Sequence, residues 1–177
     1  NYELLEKYSK CEIPLILSTG TANEDEVDVA FNLIKKNTKD LILLQCTSSY
    51  PSKFSEIDLK VIGTFKKKYN CIVGFSGHEP GINVAISAAA MGAKVIEKHV
   101  TLNKKMNGTD HLASIDMHEV KQMVEGIRQI EQAVGNENKT KYKSEDVLIS
   151  ILGKSLVTKK SMKAGKIIEK EDLTAKG

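Results

Sequence analysis

The segment Lys94–His111 carries the residues best suited to chemistry in this sequence. A short apolar stretch ends there in Glu97 and His99, and a loop with Asp110 follows. Alternate side chains of a β-strand point to the same face, so Glu97 and His99 are predicted to share one. Burial of a carboxylate and an imidazole is unfavourable unless both have partners. We therefore expect a functional site at this end of the strand.

His78 follows a second apolar stretch. Neutral imidazoles from two neighbouring strand ends can bind a divalent metal ion, which acts as a Lewis acid when some of its coordination positions stay open. The sequence leaves the alternative open that His78 and His99 only satisfy local hydrogen bonds. Glu97 fits a sugar-binding group or a general base, and its alternative is a structural ion pair. A pair with Lys98 is disfavoured, because Lys98 is predicted on the other face.

Short apolar segments alternate along the chain with amphipathic segments of helical period. Strands are predicted to begin near residues 14, 41, 71 and 94, and helices to cover about 2–9, 23–36, 56–69, 82–91 and 117–134. Strictly alternating helices and largely apolar strands indicate a parallel sheet covered on both faces. Two α/β architectures fit this order: an open doubly wound sheet, or part of a (β/α)8 barrel. The missing G-x-G-x-x-G motif disfavours a dinucleotide-binding sheet.

Every predicted strand ends in polar residues, which are Ser18, Thr47 to Tyr50, Ser76 to His78, and the pair Glu97 and His99. In both architectures the carboxyl ends of the strands carry the site, so these side chains are expected to meet at one edge. Ser18-Thr19-Gly20 and Ser76-Gly77 each precede a helix, whose free N–H groups favour an anion such as phosphate. The alternative is that these two loops, and the loop around Tyr50, are only ordinary turns.

The composition excludes several classes of partner. The 177 residues carry a net charge of +3 without a basic stripe between aromatic residues, which argues against nucleic acid. No apolar run approaches the roughly 20 residues of a membrane span, and the first residues do not resemble a signal peptide. Three widely spaced cysteines indicate reduced thiols and a cytoplasmic protein. Because the chain starts without Met, we expect it to begin inside a longer protein.

The composition changes after Gly135. Residues 136–153 begin with a polar, charged stretch and are predicted to be an exposed linker. Residues 154–177 contain short β-like pieces around a Lys163-Ala164-Gly165 turn and are predicted to open a second small domain.

Five segments, ILSTG, LLQCTSSYP, GFSGHEPG, VIEKHVTL and GTDHLASID, resemble in this order the sialic acid (N-acetylneuraminate) synthase family, which includes legionaminic and pseudaminic acid synthases. The tail SLVTKKSMKAGKIIEKEDLT resembles the start of the antifreeze-like (SAF) domain that follows their barrel. The resemblance implies an α/β fold: residues 1–135 are the C-terminal half of a TIM barrel, with four β/α units and parallel strands. A linker and a truncated, β-rich SAF-like segment are expected to follow.

The resemblance also implies an activity. Family members condense phosphoenolpyruvate with an N-acylmannosamine-type sugar aldehyde, release phosphate and form a nine-carbon 2-keto sugar acid. His78, His99 and Glu97 would be the catalytic residues, with a Mn²⁺ or Mg²⁺ ion on the two histidines. The residues implied to bind the substrates are Ser18 and Ser76 for phosphate, Ser48 for the carboxylate, and Glu97, Tyr50 and Asp110 for the sugar. A domain-swapped homodimer is expected for the full-length protein.

Three residues depart from the family pattern. Gly77 stands where members often carry Asp, Glu79 where Thr is common, and Ser48 where Asn is frequent. We expect such changes to alter substrate choice and to leave the chemistry intact. The family's N-terminal half supplies a lysine to the phosphoenolpyruvate site and a glutamate near the metal, and its complete SAF domain supplies an arginine to the partner's sugar site. We therefore expect the 177-residue polypeptide to be inactive alone.

Two other functions remain open at this point. One is a non-catalytic half-barrel that binds a sugar or an anion. The other is a metal-dependent, aldolase-like barrel with a different acceptor, whereas a lysine-type aldolase is disfavoured because no obvious Schiff-base lysine stands at a strand end.

Overall fold

The computed structural model describes residues 1–11 and 13–177. The chain divides into two compact units, Asn1–Gly135 and Asn136–Gly177.

The first unit is a parallel α/β sheet flanked by helices. Its strands are β1 (Leu15–Ser18), β2 (Leu41–Cys46), β3 (Ile72–Gly77) and β4 (Ile96–Lys98), and its helices are α1 (Tyr2–Ser9), α2 (Glu24–Lys35), α3 (Lys60–Tyr69), α4 (Asn83–Ala90) and α5 (Met117–Val134). The sheet order is β1-β2-β3-β4, and all three strand pairs are parallel. The predicted order of strands and helices is therefore confirmed, and all four strands end at the same edge.

Local sequence signals explain where two of the helices begin. Asn23 and Glu26 form the predicted capping box at the start of α2, with hydrogen bonds of 3.0 and 2.8 Å. Asp116 and Glu119 form a second capping box at the start of α5. Each box satisfies two N–H groups that a helix end leaves without partners.

The core lies on the helix-covered face of the sheet. Leu43, Val73 and Phe75 project from β2 and β3 onto Ile62 and Phe65 of α3. Burial of each such side chain contributes roughly 1.5–3 kcal/mol. The other face is open: Ile16 and Ile72, which align through Ile42 in the strand register, are 57% and 52% exposed. The first unit therefore has one sheet face packed under helices and one that is partly exposed.

Two predicted boundaries are wrong. Helix α3 begins at Lys60 and not at residue 56, because a short 3-10 turn covers Phe54–Glu56 and Asp58 has φ of 51°, which no α-helix accepts. Strand β4 covers only Ile96–Lys98 and not the predicted 94–100. Val100 instead pairs with Ile115, which precedes α5.

The second unit is small and has its own hairpin. Strands β5 (Ser155–Thr158) and β6 (Leu173–Lys176) pair antiparallel. Helix α6 (Asp146–Leu152) lies within residues 136–153, the segment predicted to be an exposed linker. Among the residues that the structure describes, no helix is long and apolar enough to cross a membrane.

Candidate active site at the strand ends

The register of β3 and β4 brings two predicted site residues together. Ser76 lies directly opposite Glu97 in the parallel ladder. The Ser76 hydroxyl donates a 2.6 Å hydrogen bond to Glu97 Oε1. Ser76 is buried and Glu97 is exposed on the open face of the sheet, so the serine orients a carboxylate that stays accessible to a ligand.

His78 and His99 face each other just beyond the last rung of the ladder. Their ring centroids are 5.1 Å apart, with the planes at 71°. His78 is buried, and its Nδ1 lies 2.9 Å from the carbonyl oxygen of Thr47. Because a carbonyl only accepts hydrogen bonds, Nδ1 carries the proton and Nε2 keeps its lone pair. A backbone carbonyl on one ring nitrogen is a usual way to orient a metal-binding histidine, so His78 is held as such a ligand would be.

The Tyr50 ring completes the wall of this site. It lies 4.1 Å from the His78 ring and 5.5 Å from the His99 ring, measured between centroids. Burial raises the pKa of the Tyr50 hydroxyl, and the nearby Cys46, Asp110 and Glu97 raise it further. The hydroxyl therefore stays protonated at neutral pH and can donate a hydrogen bond.

Asp110 reaches the site from the loop after β4. Its Oδ2 lies 3.6 Å from Nδ1 of His99. Its carbonyl oxygen accepts a 2.7 Å hydrogen bond from the Ser114 hydroxyl, and the neighbouring His111 is 2.8 Å from the Thr101 hydroxyl. These local bonds fix the loop, and the Asp110 carboxylate stays exposed.

The two remaining predicted residues lie toward the β1 side. Ser18 ends β1 opposite Leu44 and is exposed. Ser48 is also exposed, and its Oγ lies 3.8 Å from the Sγ of Cys46, which is in turn 3.9 Å from Nδ1 of His78. A Cβ at Gly20 would lie 2.0 Å from Ser48 Oγ and 3.0 Å from Cys46 Sγ, so a larger residue there would require these side chains to shift.

The two expected anion-binding helix ends differ. The first turn of α2 contains Glu24, Asp25 and Glu26, and its capping box satisfies the N–H groups of Asn23 and Glu26. These acidic side chains make this helix end less favourable for an anion than the end of α4. A phosphate contact at Ser18 would therefore depend on its exposed hydroxyl and not on the helix end. Helix α4 has no acidic residue in its first turn and no side-chain cap at Ile82, so its N–H groups remain available.

Sequence reasoning missed the surroundings of the two histidines. Cys46 was expected to be only a small core residue, yet it links Ser48 to His78. Lys98 lies on the face opposite Glu97 as expected, but it forms a buried ion pair with Glu79 that was not predicted. Burial lowers the pKa of Lys98, and the Glu79 carboxylate opposes that change. No sequence pattern signals this pair, since a loop supplies one partner.

A parallel sheet with buried polar groups at its carboxyl edge is the arrangement expected of a (β/α)8-barrel enzyme. The NeuB family matches residues 1–139, and the chain belongs to this family.

Several curated relatives are named as synthases. The chain is 43% identical to the N,N'-diacetyllegionaminic acid synthase of Campylobacter jejuni over 99% of its own length and 54% of that protein. It is 36% identical to the human N-acetylneuraminate-9-phosphate synthase over 99% of its own length and 49% of that protein. The chain thus spans about half the length of the curated relatives it matches.

Solved structures confirm the predicted fold. The N-acetylneuraminic acid synthetase of Leptospira borgpetersenii superposes with a TM-score of 0.75 and 34% identity, over 84% of this chain and 52% of that one. A truncated 3-deoxy-D-arabino-heptulosonate 7-phosphate synthase of Thermotoga maritima shares the fold at 20% identity, with a TM-score of 0.66 over 76% of this chain and 55% of that one. The four strands are half of such a barrel.

Proposed function

We propose that this chain carries half of the active site of a sialic acid synthase-type transferase. In the proposed reaction, the enol carbon of phosphoenolpyruvate bonds to the aldehyde carbon of an N-acylmannosamine-type sugar. Water then adds to the carbon that bears the phosphate, phosphate leaves, and a nine-carbon 2-keto sugar acid remains. The observation that carries the proposal is the facing pair His78 and His99 beside the oriented carboxylate of Glu97.

His78 and His99 would hold the divalent ion, Mn²⁺ or Mg²⁺. Bound there, the ion would supply Lewis acid chemistry by polarising the sugar aldehyde. Among residues 1–11 and 13–177, no group of three or more His, Cys, Asp and Glu side chains is arranged to hold a metal. The histidine pair would then supply two of the ion's ligands.

Three exposed groups around the histidines suit a sugar. The carboxylates of Glu97 and Asp110 accept hydrogen bonds from hydroxyl groups, and the Tyr50 hydroxyl donates one. The Tyr50 ring also offers an apolar surface beside the histidines, where it can exclude water from the aldehyde.

The serines and the end of α4 suit phosphoenolpyruvate. Ser18 and Ser76 would bind its phosphate, and Ser48 its carboxylate. The uncapped N–H groups of α4 favour the same negative charge, because the helix dipole is positive at that end. For Ser76 to donate to phosphate, its hydroxyl must leave Glu97, which would free that carboxylate for the sugar.

We also propose a domain organisation for the chain. Residues 1–135 would be the C-terminal half of the barrel, 136–153 the connection, and 154–177 the start of a SAF domain. We propose a homodimer in the cytoplasm for the full-length enzyme. The 177-residue polypeptide alone is proposed to be inactive, and phosphate release by it from phosphoenolpyruvate with N-acetylmannosamine would contradict this.

Calorimetric titration with MnCl₂ tests the metal site. The wild-type chain is expected to bind one Mn²⁺, and His99→Ala to abolish this binding. His118→Ala, which changes an exposed histidine at the start of α5, is the matched control and should bind like the wild type. Absence of Mn²⁺ binding by the wild type, or equal binding by His99→Ala, would reject the metal site.

A further inference from the structure

A buried ion pair lies behind the candidate site. Lys98 Nζ is 2.7 Å from Glu79 Oε1, and the two side chains are only 2% and 1% exposed. Lys98 also donates a hydrogen bond to the main-chain carbonyl of Glu79. One lysine of β4 thus holds both the side chain and the backbone of a residue in the loop that joins β3 to α4.

The pair sits where the sheet ends. The last rung of the β3–β4 ladder joins Gly77 to Lys98. The residues that follow these two in sequence are His78 and His99, which no longer belong to the ladder. Since Glu79 follows His78 and Lys98 precedes His99, the ion pair ties together the two segments that carry the imidazoles, just beyond the last ladder hydrogen bonds.

Gly77 provides the space for the carboxylate. A Cβ at position 77 would lie 2.6 Å from Glu79 Oε2 and 2.7 Å from Cε1 of Phe75. Glu79 Oε2 itself is buried and has no hydrogen-bond partner among the residues that the structure describes. Gly77 and Glu79 are two of the departures from the family pattern, and the Glu79 carboxylate lies in contact with the space that a side chain at position 77 would occupy.

We propose that the Glu79–Lys98 pair is a clasp that positions His78 against His99. Breaking it lets the β3–α4 loop move away from β4 and separates the two rings. Neither Glu79 nor Lys98 faces the open site, so both are positioning residues. The role of the clasp in catalysis rests on the proposed function, whereas its effect on the ring geometry does not.

The test removes the clasp while keeping its volume, through the double substitution Glu79→Leu with Lys98→Met. Replacement of both partners avoids an uncompensated buried charge, and apolar replacements of buried pairs are often neutral for stability. The readout is the nuclear Overhauser contact between the ring protons of His78 and His99, measured without metal. With only four histidines in the chain, these signals are readily assigned.

The clasp predicts that the folded double variant loses the His78–His99 ring contact and that its Kd for Mn²⁺ rises about tenfold or more, as for other residues that orient metal ligands. Arg128→Gln with Glu131→Gln removes an exposed pair on α5 and should change neither readout. A double variant that keeps both the ring contact and the wild-type Kd would overturn the proposal.

If the double variant does not fold, Glu79→Gln decides the question. It keeps the shape and one oxygen acceptor but removes the charge, which weakens the bond to Lys98. A weaker ring contact supports the clasp, and an unchanged one overturns it. Because the ring contact is measured without Mn²⁺, a wild-type chain that shows the contact but binds no metal contradicts the proposed function and leaves the clasp standing.

Discussion

Among single residues, Tyr50 has two separable roles, one for its ring and one for its hydroxyl. Its ring packs on both imidazoles, while its hydroxyl is available to the proposed sugar. We expect Tyr50→Phe to leave Mn²⁺ affinity unchanged, because the ring contacts remain. Tyr50→Ala should weaken Mn²⁺ binding by about tenfold, the lower end for residues that support metal ligands. Calorimetry with MnCl₂ measures both, and equal affinities for the two variants would contradict this role.

At the scale of elements, the turn after β3 depends on Gly77. A methyl group there would overlap the Glu79 carboxylate and the Phe75 ring, so Gly77→Ala should lower the free energy of unfolding by about 1–3 kcal/mol, the usual effect of overpacking. Gly63→Ala is the control, since its Cβ in α3 meets nothing within 4 Å, and it should stabilise by about 0.5–1 kcal/mol. Urea denaturation measures both, and a Gly77→Ala variant as stable as the wild type would contradict the packing.

An ion pair connects helices α2 and α3, which makes their contact sensitive to pH. Lys68 lies 2.7 Å from Asp28, and the Tyr69 hydroxyl donates to the same carboxylate. Both hydrogen bonds, Lys68 first, lower the pKa of Asp28 in the folded state. A lowered carboxyl pKa adds stability above the unfolded value of about 3.9, and this stability is lost as the pH falls through the folded pKa.

Asp28→Asn should therefore destabilise the protein at pH 7 and differ less from the wild type at pH 3. This pH lies below the unfolded pKa of about 3.9, so part of the stability that the wild-type carboxylate adds is already lost there. Denaturant unfolding at the two pH values checks this. Asp40→Asn, at an exposed carboxylate outside the cluster, should show no such trend. A difference between Asp28→Asn and wild type that is equal at both pH values would show that the charge does not matter.

The sequence predicts the elements better than their ends. Apolar runs such as Leu41 to Cys46 and the capping residue Asn23 act within a few positions, so strand and helix order follows from local pattern. The early end of β4 does not follow from local pattern, because Val100 pairs with Ile115 and not with β3. The Glu79–Lys98 pair joins residues 19 positions apart through a loop, and no periodicity reports such a contact.

At the scale of the whole molecule, the open sheet face is the main consequence of a four-stranded sheet. Ile16 and Ile72 expose apolar surface on this face, and exposed sheet surfaces and edges favour association. We expect the 177-residue polypeptide to self-associate as its concentration rises, and Ile16→Glu with Ile72→Glu to reduce this. Sedimentation velocity measures it, with Val29→Glu on α2 as the control. A wild-type monomer at all concentrations would contradict the prediction.

The proposed function depends on one site, the pair of imidazoles beyond β3 and β4. Anomalous diffraction at the manganese edge, from crystals grown with MnCl₂, tests it most directly. One strong peak is expected within coordination distance of both His78 and His99. A peak at other residues, with no density between these two rings, would contradict the assignment of this strand-end cluster as the metal site.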